Sequence, residues 1–448
     1  MLRLYNARIM PMLSPGDCSI LNGELWTDGE RISYVGCARQ DAPHFERELD
    51  LGGDLVIPGF KNAHTHNPMV FLRSFADGLP LHDWLFQQVF PREARLHPDA
   101  IYALTRLAIL ELLSGGVTAA FDMYFHRDAY VRAVIDSGFR SVLCGALSAG
   151  DDWSVARRDF EKYNSMGPLV GYRLGFHAEY TASEELLRYI SGLAHDYKAE
   201  VWAHNSETKT EYDGCIERHG MSPTRYFDSL GLFDYGGGGF HCVWFDEGDM
   251  QIFKERGLWA VSCPASNAKL ASGVAPLCEF LDRGINLALG TDGASSNNAL
   301  DMFREMYLAC VLQKLRREDA AACPAGDLLY AACSAGARAM GLPDCDSLAP
   351  GKAADLAVID LKRPSMRPLL APAQNLVYSG SKDCVRLTMV GGRILYENGE
   401  FHVGDSVEHI IAEAEKYTEE LIQGHCRNAS RSGWTPTKRS LYATSAAW

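Results

Sequence analysis

Short apolar runs separated by turn residues occupy both ends of the 448-residue chain. They are Leu2–Ile9, Ile20–Trp26, Arg31–Val35 and Leu55–Ile57 near the N-terminus, and Ala354–Ile359, Val385–Val390 and Arg393–Tyr396 further on. Runs of this length, bounded by glycine and other turn residues, predict β-strands. Because both ends share the pattern, we expect residues 1–58 and 350–406 to form one composite β-sandwich domain.

The middle of the chain, residues 59–349, alternates strand-like apolar runs with longer segments of helical periodicity. The strand candidates are Val117–Phe121, Ser141–Cys144, Gly171–Phe176, Glu200–Ala203, Gly239–His241, Trp259–Ser262 and Asn286–Gly290. Repeated β–α units of this kind predict an α/β fold, the (β/α)8 TIM-type barrel. Helical periodicity returns near the end, so residues 407–448 are expected to form a C-terminal helix and a polar tail.

Charge and cysteine content limit the partners and the compartment. The 57 acidic and 43 basic side chains give a net charge of −14, which argues against a nucleic-acid or anionic membrane surface. We find no apolar run long enough for a transmembrane helix and no signal-peptide pattern, so we expect no membrane association. The thirteen cysteines are odd in number and form no CxxC, which favours reduced thiols in a cytoplasmic protein.

The strongest chemical signal is the segment PGFKNAHTH at 58–66, which directly follows a predicted strand. Side chains two residues apart leave a strand on the same face, so His64 and His66 can point at one ion. Taken alone, the HxH pattern is equally consistent with two ordinary histidines near a turn.

Three later strand ends carry similar residues. His204 ends one predicted strand with Glu207 three residues beyond it, His241 ends another, and Asp292 follows the last barrel strand. Active sites of this barrel collect at the C-terminal strand ends, so these side chains are expected to converge. Three His and one Asp suit Zn²⁺ or another first-row divalent metal, with a position left for water.

Several further segments carry a resemblance to a known family. They are HTHNPMVFLR (64–73), WLF (84–86), DMYFH (122–126), CPASNAKLASGVAP (263–276) and GTDGASSNN (290–298). Together with the histidine motifs they resemble the amidohydrolase superfamily, and more closely its methylthioadenosine/S-adenosylhomocysteine deaminase branch. The resemblance covers nearly the whole chain and implies an aminohydrolase. Relatives often form dimers or tetramers, which leaves a homo-oligomer open.

The resemblance implies that His64, His66, His204 and Asp292 are the metal ligands. Many binuclear relatives carry a bridging lysine at the end of the fourth barrel strand, but here that strand ends in His177. We therefore expect one divalent metal. Zn²⁺ is the expected ion, with Fe²⁺, Mn²⁺ or Ni²⁺ as alternatives.

The catalytic roles also follow from the resemblance. Asp292 would accept a proton from the attacking water, and His241 would orient that water. Glu207 would protonate the ring nitrogen beside the carbon under attack, because a protonated ring avoids a buried anion. Loss of ammonia would complete the deamination. Zinc deaminases of another fold also use a glutamate that is not a metal ligand.

Three residues are candidates for substrate binding. In the family pattern a glutamate after the WLF segment holds the ribose hydroxyls, which points to Glu93. Trp84 would form a wall of the pocket, and His177 matches a family histidine that faces the purine. Without the resemblance, Glu93 reads equally as a solvated residue at a helix start, Trp84 as a core residue and His177 as an ordinary strand-end histidine.

One departure from the family bears on the substrate. Relatives carry an arginine that reaches the carboxylate of S-adenosylhomocysteine, in the strand where this chain has Cys144 and Gly145. Arg157 and Arg158 lie nearby in the sequence but out of register. A carboxylate without a bidentate partner binds less well. We therefore expect methylthioadenosine, 5′-deoxyadenosine or adenosine as the substrate, with S-adenosylhomocysteine less favoured.

Two other functions compete with this one. Deaminases or chlorohydrolases of guanine, pterins or triazines share the same metal ligands, but a substrate without ribose has no use for Glu93. A non-enzymatic binding protein is disfavoured, because all six metal and acid–base residues are present.

Overall fold

The computed structural model describes residues 1–76, 78–79 and 81–431. The polar tail predicted beyond the C-terminal helix, residues 432–448, lies outside the described residues. Within them the strands form two sheets, one mixed and one parallel.

The mixed sheet takes strands from both ends of the chain. Its N-terminal strands are β1 (Leu2–Ile9), β2 (Leu21–Asp28), β3 (Arg31–Gly36), β4 (Arg47–Asp50) and β5 (Leu55–Pro58). Eight barrel strands follow: β6 (Phe60–Thr65), β7 (Val117–Asp122), β8 (Arg140–Cys144), β9 (Val170–Gly175), β10 (Val201–Asn205), β11 (Gly237–His241), β12 (Trp259–Ser262) and β13 (Asn286–Leu289). The C-terminal strands are β14 (Leu356–Ile359), β15 (Val385–Val390), β16 (Arg393–Glu397) and β17 (Glu400–Phe401).

The two chain ends meet where β14 pairs antiparallel with β5, with Val358 opposite Val56. The sheet order is β17-β16-β15-β14-β5-β1-β2-β3, and β4 pairs with β1. Val56, Val358 and Leu4 are fully buried in the core of this sheet. A β-structure built from both chain ends was predicted, and the structure confirms it. The boundaries at residues 58 and 350 stay a proposal.

The parallel sheet runs in sequence order from β6 to β13 and is nearly closed into a barrel. Its seam is held by bonds between the first strand and the loop after the last. The Thr291 backbone N–H donates to Asn62 Oδ1 at 2.8 Å, Asn62 Nδ2 donates to Thr291 Oγ1 at 2.7 Å, and the Asp292 N–H donates to the His64 carbonyl at 2.9 Å. The predicted (β/α)8 barrel is thereby confirmed.

Helices connect and flank the strands. They are α1 (Leu81–Asp83), α2 (Phe90–Glu93), α3 (Pro98–Ser114), α4 (Arg127–Ser137), α5 (Val155–Tyr163), α6 (Glu184–Tyr197), α7 (Lys209–His219), α8 (Pro223–Ser229), α9 (Glu247–Arg256), α10 (Pro264–Lys269), α11 (Leu277–Arg283), α12 (Ala294–Asn297), α13 (Met302–Arg317), α14 (Ala325–Tyr330), α15 (Gly336–Ala339), α16 (Pro372–Tyr378) and α17 (Val407–Arg431). Single 3₁₀ turns lie at Asn67–Leu72, Glu179–Thr181, Pro343–Cys345, Pro364–Met366 and Lys382–Cys384, and π-helical turns at Trp84–Val89 and Ala331–Ala335.

Helix α9 shows how the sequence sets these boundaries. The Asp246 carboxylate accepts hydrogen bonds from the N–H groups of Gly248 and Asp249, which would otherwise lack partners at the helix start. Gly257 ends the helix with φ +65°, a left-handed conformation that glycine adopts without a steric penalty.

The barrel interior is filled by large side chains. Phe121, Trp202 and Phe240 are fully buried and pack edge-to-face or stacked on one another. This core fills the barrel, and a cleft lies above it, at the end where the strands finish.

A buried ion pair joins the barrel to the mixed sheet. Arg140 at the start of β8 donates to both oxygens of Asp355, at 2.8 Å and 3.0 Å, and the Gly391 N–H donates to the same carboxylate at 2.7 Å. Burial favours a neutral carboxyl, but the charge and hydrogen bonds of Arg140 outweigh it and hold the pKa of Asp355 below its ordinary value.

We expect Asp355→Asn to lower the free energy of unfolding by about 3–5 kcal/mol, because the Arg140 charge would stay buried without its counter-ion. Urea unfolding followed by circular dichroism measures the change. Glu184→Gln is the control, since it breaks an exposed pair with Arg188 and should change stability by less than about 1 kcal/mol. Equal stability losses in the two variants would contradict the role of this pair.

Candidate active site

Six predicted site residues meet at the C-terminal ends of the barrel strands. They are His64 in β6, His66 after it, His204 in β10 with Glu207 beyond it, His241 at the end of β11 and Asp292 after β13. The ligand atoms of His64, His204 and His241 lie within 4.8 Å of one another, and so do those of His64, His66 and Asp292. One compact cluster therefore contains all the predicted metal ligands.

The backbone is unusual at these positions. His241 has φ +71° and Asp292 has φ +60°, left-handed conformations that are uncommon for residues with a side chain. Each turns the chain sharply at a strand end, which aims the side chain across the mouth of the barrel. Backbone strain of this kind concentrates at functional sites.

His64 lies deepest in the cluster. It is fully buried, its ring stacks on Phe240 with centroids 3.9 Å apart, and neither ring nitrogen has a hydrogen-bond partner. Burial lowers the pKa of both His64 and His204 well below the ordinary value, so both imidazoles are neutral. A neutral imidazole with an unpaired buried nitrogen is suited to a divalent cation.

Backbone carbonyls orient two of the other imidazoles. Nδ1 of His66 lies 2.7 Å from the Met123 carbonyl oxygen, and Nδ1 of His204 lies 2.8 Å from the His177 carbonyl oxygen. Burial lowers the pKa of His66, but the hydrogen bond and charge of Asp292 outweigh it and raise that pKa to about 9. A carbonyl only accepts, so each ring carries a proton on Nδ1 and turns Nε2 toward the cluster. Metal-binding histidines are commonly oriented in this way.

One oxygen of the Asp292 carboxylate faces the cluster, and the other accepts hydrogen bonds from protein hydroxyls. Oδ1 lies 3.2 Å from His66 Nε2 and 3.6 Å from His64 Nε2, whereas Oδ2 accepts from the hydroxyls of Ser266 at 2.6 Å and Ser296 at 2.8 Å. Burial would raise the pKa of Asp292, but the hydrogen bond and charge of His66 hold it well below the ordinary value. Asp292 is therefore a carboxylate with one oxygen facing the cluster.

Glu207 lies next to His241 at the edge of this cluster. His241 Nδ1 lies 2.8 Å from Asn267 Oδ1, and His241 Nε2 lies 3.8 Å from Glu207 Oε2. Burial raises the pKa of Glu207, and the neighbouring His241 opposes that shift. A glutamate with a raised pKa is suited to donate a proton near neutral pH.

The cluster forms the floor of a cleft at the mouth of the barrel. Trp84, Glu93 and His177 all line this cleft, while His64 lies beneath it. Trp84 belongs to the π-helical turn Trp84–Val89 and Glu93 ends α2. π-Helical turns, which accommodate one extra residue within a helix, are frequent at functional sites. Burial lowers the pKa of His177 to about 4, so its ring is neutral.

Sequence reasoning missed two supporting contacts. The Tyr124 hydroxyl donates to Glu93 Oε1 at 2.7 Å, which leaves the second carboxylate oxygen for a ligand. Glu211 accepts hydrogen bonds from the backbone N–H groups of Ser206 and Glu207. Tyr124 lies within the DMYFH motif, and Glu211 is the last residue of a Thr-x-x-Glu capping pattern, so weak signals for both were present.

Among the described residues, no helix has both the length and the apolar character needed to cross a bilayer.

The fold and the donor set define a class of protein, the barrel hydrolases that use a divalent metal. The sequence profile of the amidohydrolase family matches residues 55–395. A 5′-deoxyadenosine deaminase of Methanothermobacter thermautotrophicus is 39% identical over 383 residues, 84% of this chain and 87% of that protein. A 5-methylthioadenosine/S-adenosylhomocysteine deaminase of Nitratidesulfovibrio vulgaris is 42% identical over 399 residues, 87% of this chain and 89% of that one.

Comparison with solved structures agrees. The crystal structure of an adenosine deaminase from Xanthomonas campestris with bound zinc superposes with a TM-score of 0.87 at 29% identity, covering 94% of this chain and 98% of that chain. The protein belongs to the amidohydrolase family, as the resemblance implied, and carries a divalent-metal site.

We expect His64→Phe to reduce bound metal from about one ion per chain to almost none, since it removes two nitrogens and keeps the stack on Phe240. Metal content is measured by mass spectrometry after dialysis. Without metal, the variant should unfold at a temperature equal to or above that of the stripped wild type, because it buries no unpaired nitrogen.

His195→Phe is the matched control, since His195 pairs with Asp234 at the surface. It should keep the full metal content. Normal metal binding by His64→Phe would show that His64 is not a ligand.

Proposed function

We propose that this protein is a metal-dependent hydrolytic deaminase of an adenine nucleoside, which releases ammonia and the inosine analogue. The observation that carries the proposal is the presence, in one cleft, of the metal cluster, the buried acid Glu207 and the half-buried carboxyl of Glu93. The deaminases found among its relatives support the same reaction.

We propose one Zn²⁺ ion held by His64, His66, His204 and Asp292. Three imidazoles and a carboxylate match the ligands of catalytic zinc sites, and Fe²⁺, Mn²⁺ and Ni²⁺ are alternatives. A bound divalent ion lowers the pKa of water toward about 7 and so makes a nucleophile available near neutral pH.

The protein's own groups then move the protons. Asp292 Oδ1 faces the cluster and accepts a proton from the attacking water, while His241 Nε2 orients that water. Glu207, whose pKa is raised by burial, donates to the ring nitrogen beside the carbon that bears the amine. This donation prevents a negative charge from building up on the ring in a buried cleft.

Glu93 is proposed to hold the ribose. Its Oε1 is engaged by Tyr124, and its side chain lines the cleft, so Oε2 is the atom that would accept from the ribose hydroxyls. Trp84 and His177 are proposed to contact the purine from the cleft walls.

Gly145, one of the two residues in the place of the relatives' arginine, has no room for a side chain here. A Cβ atom placed on Gly145 would lie 2.5 Å from the Gly175 carbonyl oxygen, closer than a carbon can approach. Position 145 therefore excludes every side chain, in agreement with a small or apolar 5′ substituent.

Cations do occur beyond the cleft. Lys209, Arg218 and Lys269 line an adjoining outer chamber, where Lys209 pairs with Asp213 and Arg218 with Glu179. The described lining of the inner cleft itself has no arginine or lysine. We therefore propose methylthioadenosine, 5′-deoxyadenosine or adenosine as substrates in preference to S-adenosylhomocysteine.

We propose a cytoplasmic location because of the state of the cysteines. The twelve whose side chains the structure describes are all free, and most are buried. A homo-oligomer stays a prediction.

We expect the zinc-loaded protein to release ammonia from adenosine, 5′-deoxyadenosine and methylthioadenosine, with a lower kcat/KM for S-adenosylhomocysteine. Glu207→Gln should keep its metal and lose about 10²–10⁴-fold in turnover, because it cannot donate the proton. Ammonia is measured with a coupled enzyme assay, and metal by mass spectrometry.

Glu217→Gln is the control for this experiment, since Glu217 is exposed on α7 and does not line the cleft. Ammonia release only from guanine, a pterin or a triazine would favour the competing heterocycle function. A metal-replete Glu207→Gln variant with normal turnover would remove Glu207 from the mechanism.

We expect Glu93→Gln to raise KM for adenosine by about 10–100-fold, the loss expected for a hydrogen bond to a charged group. KM for 2′,3′-dideoxyadenosine, which lacks both hydroxyls, should stay unchanged. Steady-state kinetics with the two substrates measure both KM values. Equal KM changes for both would show that Glu93 does not read the ribose.

A further inference from the structure

A buried carboxylate lies behind the proposed acid Glu207. Glu211, in the first turn of α7, is only 4% exposed. Its Oε1 accepts from the Ser206 N–H at 3.1 Å, and its Oε2 accepts from the Glu207 N–H at 2.8 Å. Successive N–H groups that converge on one anion form a nest, here filled by a side chain of the protein itself.

The nest requires a bend in the chain. Ser206 has φ +54°, the left-handed conformation that residues with a side chain seldom adopt. This bend follows β10 directly and points the next side chain, Glu207, back over the strand ends. A strained conformation persists only when its surroundings hold it, and Glu211 supplies two of those bonds.

The same bend also supports the neighbouring loop. The Ser206 carbonyl accepts hydrogen bonds from the N–H groups of Val243 at 3.1 Å and Trp244 at 2.9 Å, just after His241. The backbone positions of Glu207 and His241 are therefore tied to each other through Ser206.

The surroundings of the Glu211 carboxyl disfavour its charged form. Burial raises its pKa to about 7, and the charge of Glu207 adds to that shift. Within the described part of the chain, no ion pair to Glu211 is found, and its two oxygens accept from backbone N–H groups.

Helix capping does not account for this arrangement. In a capping box, the glutamate three residues into the helix bonds to the N–H of the capping residue, which here would be Thr208. Thr208 does cap α7, because its hydroxyl accepts from the Glu211 N–H at 3.1 Å. The Glu211 side chain instead reaches the two residues that precede Thr208.

We propose that Glu211 is a positioning residue, which holds the Ser206–Glu207 bend so that the Glu207 carboxyl faces His241 and the cleft. This inference rests on the proposed role of Glu207 as the proton donor. Glu211 lines the outer chamber rather than the cleft, so it acts through Glu207 and does not touch the reacting atoms.

The test is Glu211→Gln, whose amide oxygen can accept from one N–H while its NH₂ group faces the other. We expect kcat to fall by about 10–100-fold, the effect of a misplaced catalytic group. KM should stay within about twofold, because the lost interaction belongs to the transition state. Metal content should be unchanged.

Thr208→Ala is the matched control at the same helix start. It removes the cap and leaves the nest carboxylate in place, so thermal stability should fall while kcat is kept. Equal kcat losses in the two variants would show that Glu211 acts only through helix stability and would overturn the proposal.

A double variant tests whether Glu211 acts through Glu207. In a Glu207→Gln background, Glu211→Gln should cause no further loss of the residual turnover, since residues that act as a unit are not additive. A further loss of about tenfold or more would contradict the proposal.

Hydrogen exchange gives a readout that needs no turnover. The Ser206 and Glu207 amides should exchange about tenfold faster in Glu211→Gln and at the normal rate in Thr208→Ala. If the wild type deaminates no nucleoside, the proposed function fails, and the exchange data still report on the nest. Unchanged exchange in Glu211→Gln would overturn the inference by itself.

Discussion

The site depends on one constraint, the burial of several imidazoles beside a single carboxylate oxygen. His64 has two ring nitrogens without partners in a part of the barrel that solvent does not reach. Such an arrangement is unfavourable by itself, and a cation at the shared lone pairs would satisfy it. The surrounding contacts follow from this need, because protein groups hold Nδ1 of His66, Nδ1 of His204 and Oδ2 of Asp292.

The closure of the barrel places these groups. The seam bonds between Asn62 and Thr291, together with the bond from the Asp292 N–H to the His64 carbonyl, join the first and last strands at the level of the metal cluster. Fold and site are therefore stabilised by the same contacts. The left-handed bends at Ser206, His241 and Asp292 complete the arrangement, and they persist because packed neighbours hold them.

Much of this architecture could be predicted from the sequence. The expected strand Val117–Phe121 corresponds to β7 (Val117–Asp122), and the expected strand Trp259–Ser262 corresponds to β12. Apolar runs bounded by glycine are local signals, so the strands can be predicted from them without knowledge of the fold. The HxH motif was readable for the same reason, because alternation along one strand fixes the direction of both side chains.

The supporting contacts could not be predicted in this way. Tyr124 meets Glu93 across 31 residues, and Ser266 meets Asp292 across 26. Neither spacing matches the short periods of a helix or a strand, so the sequence pattern does not indicate either contact. The collision that excludes a side chain at position 145 likewise depends on how closely two neighbouring strands approach.

The sequence by itself thus determined the β–α alternation, the two-ended sheet and the residues that can bind a metal, because these follow from local periodicity and residue chemistry. Only the tertiary structure decided which nitrogens face the cluster, which carboxylate oxygen is free and which backbone bends are held. Those properties depend on distances of about 3 Å between groups far apart in the chain, and such distances exist only after the barrel closes.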